Sequence, residues 1–367
     1  MIRAKGAPMI RFTFKSLIII SSFLIAGFTA GGSDSSSLRY TAMGGAGIAL
    51  YDSPHAFKIN PASLFVQEPA LFSVDMTGSE SIVPSSLGED DPLWSMQNPS
   101  TLLEFVFSTR YSALCVGFGF DLTDREVNST GDGLIFDAYN NSHIQFNVAY
   151  GFGSFSFGMY ARGGSQMQRL GIEIDASTAL VDYISQVYLN RYYPSNEDQQ
   201  FSSGIGILVA YPYISLAVLT DSFFVVDYDT NEVSIDIVDL LEDTSVGLAF
   251  STNAYDEDNN LNPVVFTSAF DICDIADETY RSIRFGLEVK FQFLKDLNIA
   301  LQTGYRETRA TPLSLIGIEG DGDASVGISS QINNLFFNSV FVLPLSWLSS
   351  GESTDSAAIE LSLHYNL

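Results

Sequence analysis

Only three histidines occur in the 367-residue chain: His55, His143 and His364. No two stand at the short spacing that brings paired imidazoles to one helix face or one metal-binding turn. The sequence therefore predicts no metal site and no catalytic residues. The next candidates are cations. Seventeen Lys and Arg face 43 Asp and Glu, yet Arg284 and Lys290 share one short stretch. In an apolar pocket, such cations can hold a ligand carboxylate while hydrophobic surface takes its tail. Glu288 lies between them and Glu360 falls in another candidate strand, so pairing within the protein is the competing use. The third group is Gly44, Gly45 and Gly47, followed by Asn60-Pro61-Ala62. Clustered glycines cradle a phosphate when they join a strand to a helix and precede a lysine, and this run does neither. No cofactor is implied. Such glycines do permit positive φ and close backbone approach. Pro61 fixes its own φ and biases Asn60 to extended geometry, where the amide can cap a local turn.

The elements that must position these residues are set by export and alternation. Residues 1–30 read as a secretory signal peptide: Arg3, Lys5, Arg11 and Lys15 precede the apolar run Ser16–Phe28, and small residues follow. The net charge of −26 makes nucleic acid an improbable partner, because phosphate recognition needs basic surface. After residue 30 no apolar run is long enough for a transmembrane helix. Even so, the chain carries 28 Phe, 17 Tyr and 29 Gly and is 46% hydrophobic. Over Ser282–Phe293, Ile283, Phe285, Leu287, Val289, Phe291 and Phe293 alternate with Ser282, Arg284, Gly286, Glu288, Lys290 and Gln292. The same period of two recurs over 143–150, 154–161 and 359–366, which predicts strands with one apolar and one polar face. Fourteen strands are expected: 70–78, 101–110, 112–121, 142–151, 154–162, 201–210, 213–221, 243–252, 263–271, 281–293, 297–306, 323–331, 334–343 and 357–366. Their connections alternate between short (152–153, 211–212, 294–296, 332–333) and long (79–100, 122–141, 163–200, 222–242, 307–322, 344–356). A soluble sandwich can alternate its faces but has no reason to alternate its loop lengths. An outer-membrane barrel has short periplasmic turns and long outer loops. The fold class expected is all-β, a transmembrane antiparallel barrel over 70–367, embedded in outer-membrane lipid with both termini periplasmic. The long loops are acidic, as in Glu89-Asp90-Asp91, and Ala176–Tyr192 has helical spacing at Leu180, Tyr183, Ile184, Val187 and Tyr188.

The stretch from Ala42 to Leu64, a glycine-rich opening ending in Asn60-Pro61-Ala62, resembles the N-terminal hatch of the FadL-type outer-membrane transporters of long-chain fatty acids and other hydrophobic compounds. PorV/PorQ-like proteins and the uncharacterised UPF0164 proteins are similar there. The resemblance implies that residues 31–69 fold inward as a plug, with Gly44, Gly45, Gly47, Asn60, Pro61 and Ala62 as gate elements that shape it. It implies passive uptake of a hydrophobic small molecule. The alternatives are a PorV-like barrel serving a secretion-machinery protein, or a surface adhesin. Enzymatic activity is not expected.

Overall fold

Alternating side chains leave a sheet with one apolar and one polar face, and in lipid such a sheet must close, since every backbone N–H and C=O needs a partner within the protein. The computed structural model describes residues 38–67, 70–84, 94–130, 134–169, 173–174, 193–221, 225–227, 232–234, 237–254, 261–277, 281–294, 297–308, 322–345 and 357–366. Fourteen strands form the barrel. They are β1 (Ala70–Pro84), β2 (Trp94–Tyr111), β3 (Leu114–Thr130), β4 (Leu134–Phe152), β5 (Phe155–Arg169), β6 (Tyr193–Ala210) and β7 (Ile214–Thr220), then β8 (Thr244–Ser251), β9 (Val264–Cys273), β10 (Ser282–Leu294), β11 (Leu297–Thr308), β12 (Gly322–Ile332), β13 (Leu335–Pro344) and β14 (Ala357–Asn366). Each pairs antiparallel with the next in sequence, and β14 returns to β1 with His364 opposite Asp75. The barrel is closed. No helix among the described residues is long and apolar enough to cross a membrane.

The two faces sort as the alternation requires. In β4, Ile144 and Phe146 are 51% and 49% exposed on the outside, whereas Gln145 and Asn147 are 2% and 0% exposed on the inside. Phe118, Leu216, Phe250, Phe266, Phe285, Leu301, Ile328 and Phe337 continue the exposed apolar band around the barrel. At the short-turn end this band finishes in aromatics: Tyr111, Tyr150, Phe152, Tyr211, Tyr213 and Phe293 are all more than half exposed. Amphipathic rings at one level form the girdle that marks a membrane–water boundary.

Three expected loops are shorter than the sequence suggests. β1 and β2 pair out to Pro84 and Trp94, β3 and β4 pair out to Thr130 and Leu134, and within the expected loop 163–200 β5 and β6 pair out to Gln168 and Tyr193. The ladder is made by backbone groups and does not need an apolar face, so it continues beyond the band into polar sequence that reads as loop. Of the expected loop 122–141, only 131–133 lies between strands. The expected loop 222–242 holds a two-stranded ribbon (Val225–Asp227 with Glu232–Ser234) and the short helix Ile237–Glu242. The signal peptide, the acidic Glu89-Asp90-Asp91 and the helical pattern over 176–192 lie outside the described residues.

Facing lipid has a measurable consequence. Leu301→Arg, midway along β11, should cost about 2–4 kcal/mol of barrel stability, while Phe293→Arg at the girdle should cost at most about 1 kcal/mol. Urea unfolding in lipid vesicles measures both; equal costs would mean that the band is not the membrane-spanning surface.

Candidate functional site

Residues 38–67 make three short turns rather than strands: α1 (Leu38–Ala42), α2 (Ala56–Ile59) and a 3-10 turn over Pro61–Phe65. The local chemistry accounts for the last of these. Pro61 occupies its first position, where no N–H is needed. Asn60 is extended, and its side-chain oxygen accepts from the Ala62 N–H at 3.1 Å. The Asn60 amide also donates to the Ile48 carbonyl at 3.1 Å, tying the two ends of the segment together. Gly44 and Gly45 have φ of +67° and +79°, the left-handed region that reverses the chain after α1.

The segment packs on the inward face of the barrel wall, and the wall is carved to receive it. Gly286 and Gly304 are register partners on β10 and β11, and a Cβ on either would run into the backbone of Met43 or Gly44. Gly158 and Gly206 are register partners on β5 and β6, and there a Cβ would strike Pro61 or Asn60. Hydroxyl and carboxylate side chains satisfy the backbone between these cradles. Asp271 accepts from the Gly47 and Ile48 N–H groups at 2.6 and 3.0 Å. Ser325 donates to the Ala42 carbonyl, Ser215 to that of Ala49 and Ser156 to that of Ala62, at 2.9, 2.7 and 2.8 Å.

The two sides of the segment differ. Toward β5–β9 the contact is apolar: Ile48, Ala49, Leu50 and Ala62 cluster with Tyr160, Leu208, Ala217, Leu219, Ala249 and Ala269. Toward β1–β4 and β10–β14 there are apolar contacts too, Phe57 and Leu64 with Val106, Cys115 and Ala149 and Leu38 with Val340, but this side also carries buried ion pairs. Arg39 forks Glu288 with two 2.9 Å bonds and also reaches Asp52 at 2.6 Å. Lys58 contacts Glu104 at 2.6 Å and Asp121 as well. His55 Nδ1 lies 3.0 Å from Glu104, and His55 Nε2 lies 3.1 Å from His364 Nδ1. Burial alone would favour neutral His55, but Glu104 and, behind it, Asp75 outweigh that, so its pKa is raised. A cavity of about 100 Å³ runs along this side, bordered by Arg39, Asp52, His55, Asp75, Lys290 and His364 among others. That is well below the ~300–1,000 Å³ of ligand pockets. It suits an ion and a few waters, not an apolar cargo.

The residues singled out from sequence are placed as follows. Gly44, Gly45 and Gly47 lie against β9–β12, and Asn60, Pro61 and Ala62 against β5 and β6. Arg284 and Lys290 are both on the inward face but do not converge. Six residues of strand separate them by about 20 Å. Arg284 Nη1 is 3.5 Å from the Gly45 carbonyl, while Lys290 borders the cavity. His55 and His364, 309 residues apart, are brought into contact with Asp75 beside them. The sequence reading missed this group, because closure of the barrel creates it and no short spacing signals it. The wall glycines were also missed as partners of the segment. Their signal was visible in the inward positions of the alternating strands, where Gly286 stands between Arg284 and Glu288.

No family model matches the chain, and no curated protein matches it. Solved structures do. The barrel resembles the Ralstonia pickettii toluene transporter TbuX (TM-score 0.51, 12% identity, covering 93% of this chain and 99% of that one). It also resembles the Pseudomonas putida toluene transporter TodX (0.54, 9%, 92% and 98%) and a Pseudomonas aeruginosa FadL homologue (0.53, 9%, 93% and 99%). At these identities the likeness establishes the fold alone, a barrel like those of the proteins described as toluene transporters and as a FadL homologue.

The glycine cradles generate a test of how the segment is held. Gly304→Ala should push Met43 and Gly44 off the wall, an overpacking cost of about 1–3 kcal/mol borne by backbone that cannot rotate away. Limited proteolysis within 38–67 should then speed up by about tenfold with barrel migration on cold gels unchanged. Gly163→Ala, with open space at its Cβ, should leave the rate as it was; acceleration by both or by neither would refute the cradle.

Proposed function

We propose that the chain is an outer-membrane channel for passive uptake of uncharged hydrophobic small molecules, and that residues 31–69 are its hatch. The observation that carries the reading is the pairing of a closed fourteen-stranded barrel with an N-terminal segment hydrogen-bonded to strands on opposite sides of its inward face. A segment so placed obstructs a free aqueous pore. The likeness to the barrels of TodX and TbuX, described as toluene transporters, supports a hydrophobic cargo.

The asymmetry of the segment supports a route. An apolar molecule passing between residues 46–50 and the β6–β9 wall would part no ion pair, although it would have to displace the Gly47 and Ile48 N–H groups from Asp271 and the Ala49 carbonyl from Ser215. On the other side it would have to part Arg39 from Glu288 or Lys58 from Glu104, and breaking such a buried pair costs about 3–5 kcal/mol. A carboxylate headgroup site needs Arg284 and Lys290 to act together, and their separation favours an uncharged cargo over a fatty acid. With both termini in the periplasm, the strand ends at Thr130, Leu134, Arg169 and Tyr193 face outward.

The channel reading predicts that vesicles containing the barrel take up radiolabelled toluene faster than empty vesicles. Deleting residues 42–64 should leave an inserted barrel with raised single-channel conductance. Conductance equal to that of the intact chain would eliminate the hatch, and toluene entry at the rate of empty vesicles would eliminate the channel. A stable protein partner recovered in mild detergent, without uptake, would favour the secretion role instead.

A further inference from the structure

The meeting point of the N-terminal segment with the β1–β14 seam has the parts of a cation site. His55 Nε2 and His364 Nδ1 are 3.1 Å apart, and Asp75 Oδ2 is 3.9 Å from the first and 3.6 Å from the second. A triangle with these edges contains a point about 2.1 Å from all three corners, the usual length of Zn–N and Zn–O bonds. All three residues are buried, at 1%, 3% and 5% exposure for His55, Asp75 and His364.

The far sides of the imidazoles are also arranged. Glu104 stands 3.0 Å from His55 Nδ1, and the Asn366 side-chain oxygen 2.6 Å from His364 Nε2. The Asn366 oxygen is an acceptor, so His364 places its N–H there and turns its Nδ1 lone pair inward, while Glu104 lies close to His55 Nδ1 without the geometry of a hydrogen bond. Carboxylate or carbonyl groups behind metal-bound imidazoles fix the tautomer in this same way. The result is two imidazole nitrogens and a carboxylate oxygen converging within 4 Å of one another. Atoms of this kind so close need a positive charge between them, either a proton on His55 Nε2 or a bound cation. Ser73, 3.2 Å from His364 Nδ1 and 3.1 Å from Nε2, has one proton to give and cannot serve all three. Of the neighbouring side-chain cations, Lys58 is engaged by Glu104 and Asp121 and Arg39 by Glu288 and Asp52, while Lys290 borders the same cavity. The cavity of about 100 Å³ borders all three donors and reaches Asp52, whose side chain is 44% exposed. It supplies both access and room for water at the open coordination positions.

We propose that His55, Asp75 and His364 bind one divalent transition-metal ion, joining the N-terminal segment to the first and last strands of the barrel. Two imidazoles and one carboxylate suit a borderline ion such as Zn²⁺. The site is independent of which cargo passes. Because Asp75 and His364 are register partners across the closure while His55 comes from the segment, the ion would staple the segment at the seam, on the charged side opposite the apolar contact.

The test uses the full-length barrel without an affinity tag, stripped with EDTA and checked for folding by heat-modifiable gel migration. Co²⁺ should bind at one equivalent per chain with visible absorption bands and be displaced by Zn²⁺. His143→Ala should bind as the parent does. His364→Ala and Asp75→Asn should each weaken binding at least about tenfold, and Glu104→Gln by about 10–100-fold. Zn²⁺ should also slow proteolysis within 38–67 in the parent and not in those variants. If the variants do not refold, X-ray absorption of the zinc-loaded parent decides: two imidazole nitrogens in the coordination shell uphold the site. An all-oxygen shell, no stoichiometric binding by the folded parent, or binding indifferent to His364 and Asp75 overturns it.

Discussion

Backbone hydrogen bonding in the absence of water governs this structure. Within a bilayer an open sheet edge leaves a row of unpaired N–H and C=O groups, each costing several kcal/mol. The fourteen strands therefore close, and closure sets β14 beside β1 in one register. Outward positions then face lipid and inward positions face a shared interior. That interior is filled by the N-terminal segment, through both apolar clusters and hydrogen bonds. Its contents are bonded to the wall residue by residue.

Wall and segment divide the work between them. Where the segment backbone crosses the wall, the strands supply paired glycines, Gly286 with Gly304 and Gly158 with Gly206. Where its N–H and carbonyl groups would be stranded, they supply Asp271, Ser325, Ser215 and Ser156. Gly44 of the segment and Gly286, Gly304 and Gly158 of the wall serve the same end from two sides, which is close approach of backbone to backbone. Gly44 and Gly45 add the reversal that lets the chain leave α1 and travel along the wall.

Charge is distributed with the same economy. In a strongly acidic chain, Arg39 and Lys58 are each spread over two carboxylates, and both cations come from the segment while Glu288, Glu104 and Asp121 come from the wall. Buried pairs of this kind contribute little net stability, but separating them is costly. They consequently hold the segment in one position more than they hold the barrel together. The opposite contact has no ion pair, and is held instead by apolar packing and by the bonds of Asp271 to Gly47 and Ile48 and of Ser215 to Ala49.

Alternation over 143–150, 154–161 and 282–293 was enough to determine strands, their count, which side chains face out and the closed all-β fold, because a period of two is a local property of sequence. Asn60-Pro61-Ala62 likewise determined its own turn, since Pro61 and the Asn60 cap act within three residues. The ends of β1 to β4 were not legible, because a backbone ladder can extend through polar sequence without leaving a pattern. Nor was the pairing of Arg39 with Glu288, or the convergence of His55, Asp75 and His364. Those contacts join residues up to 309 positions apart, and nothing local encodes them. Only closure of the barrel, with the segment laid against its inner wall, decides which of the sparse cations and imidazoles meet which carboxylates.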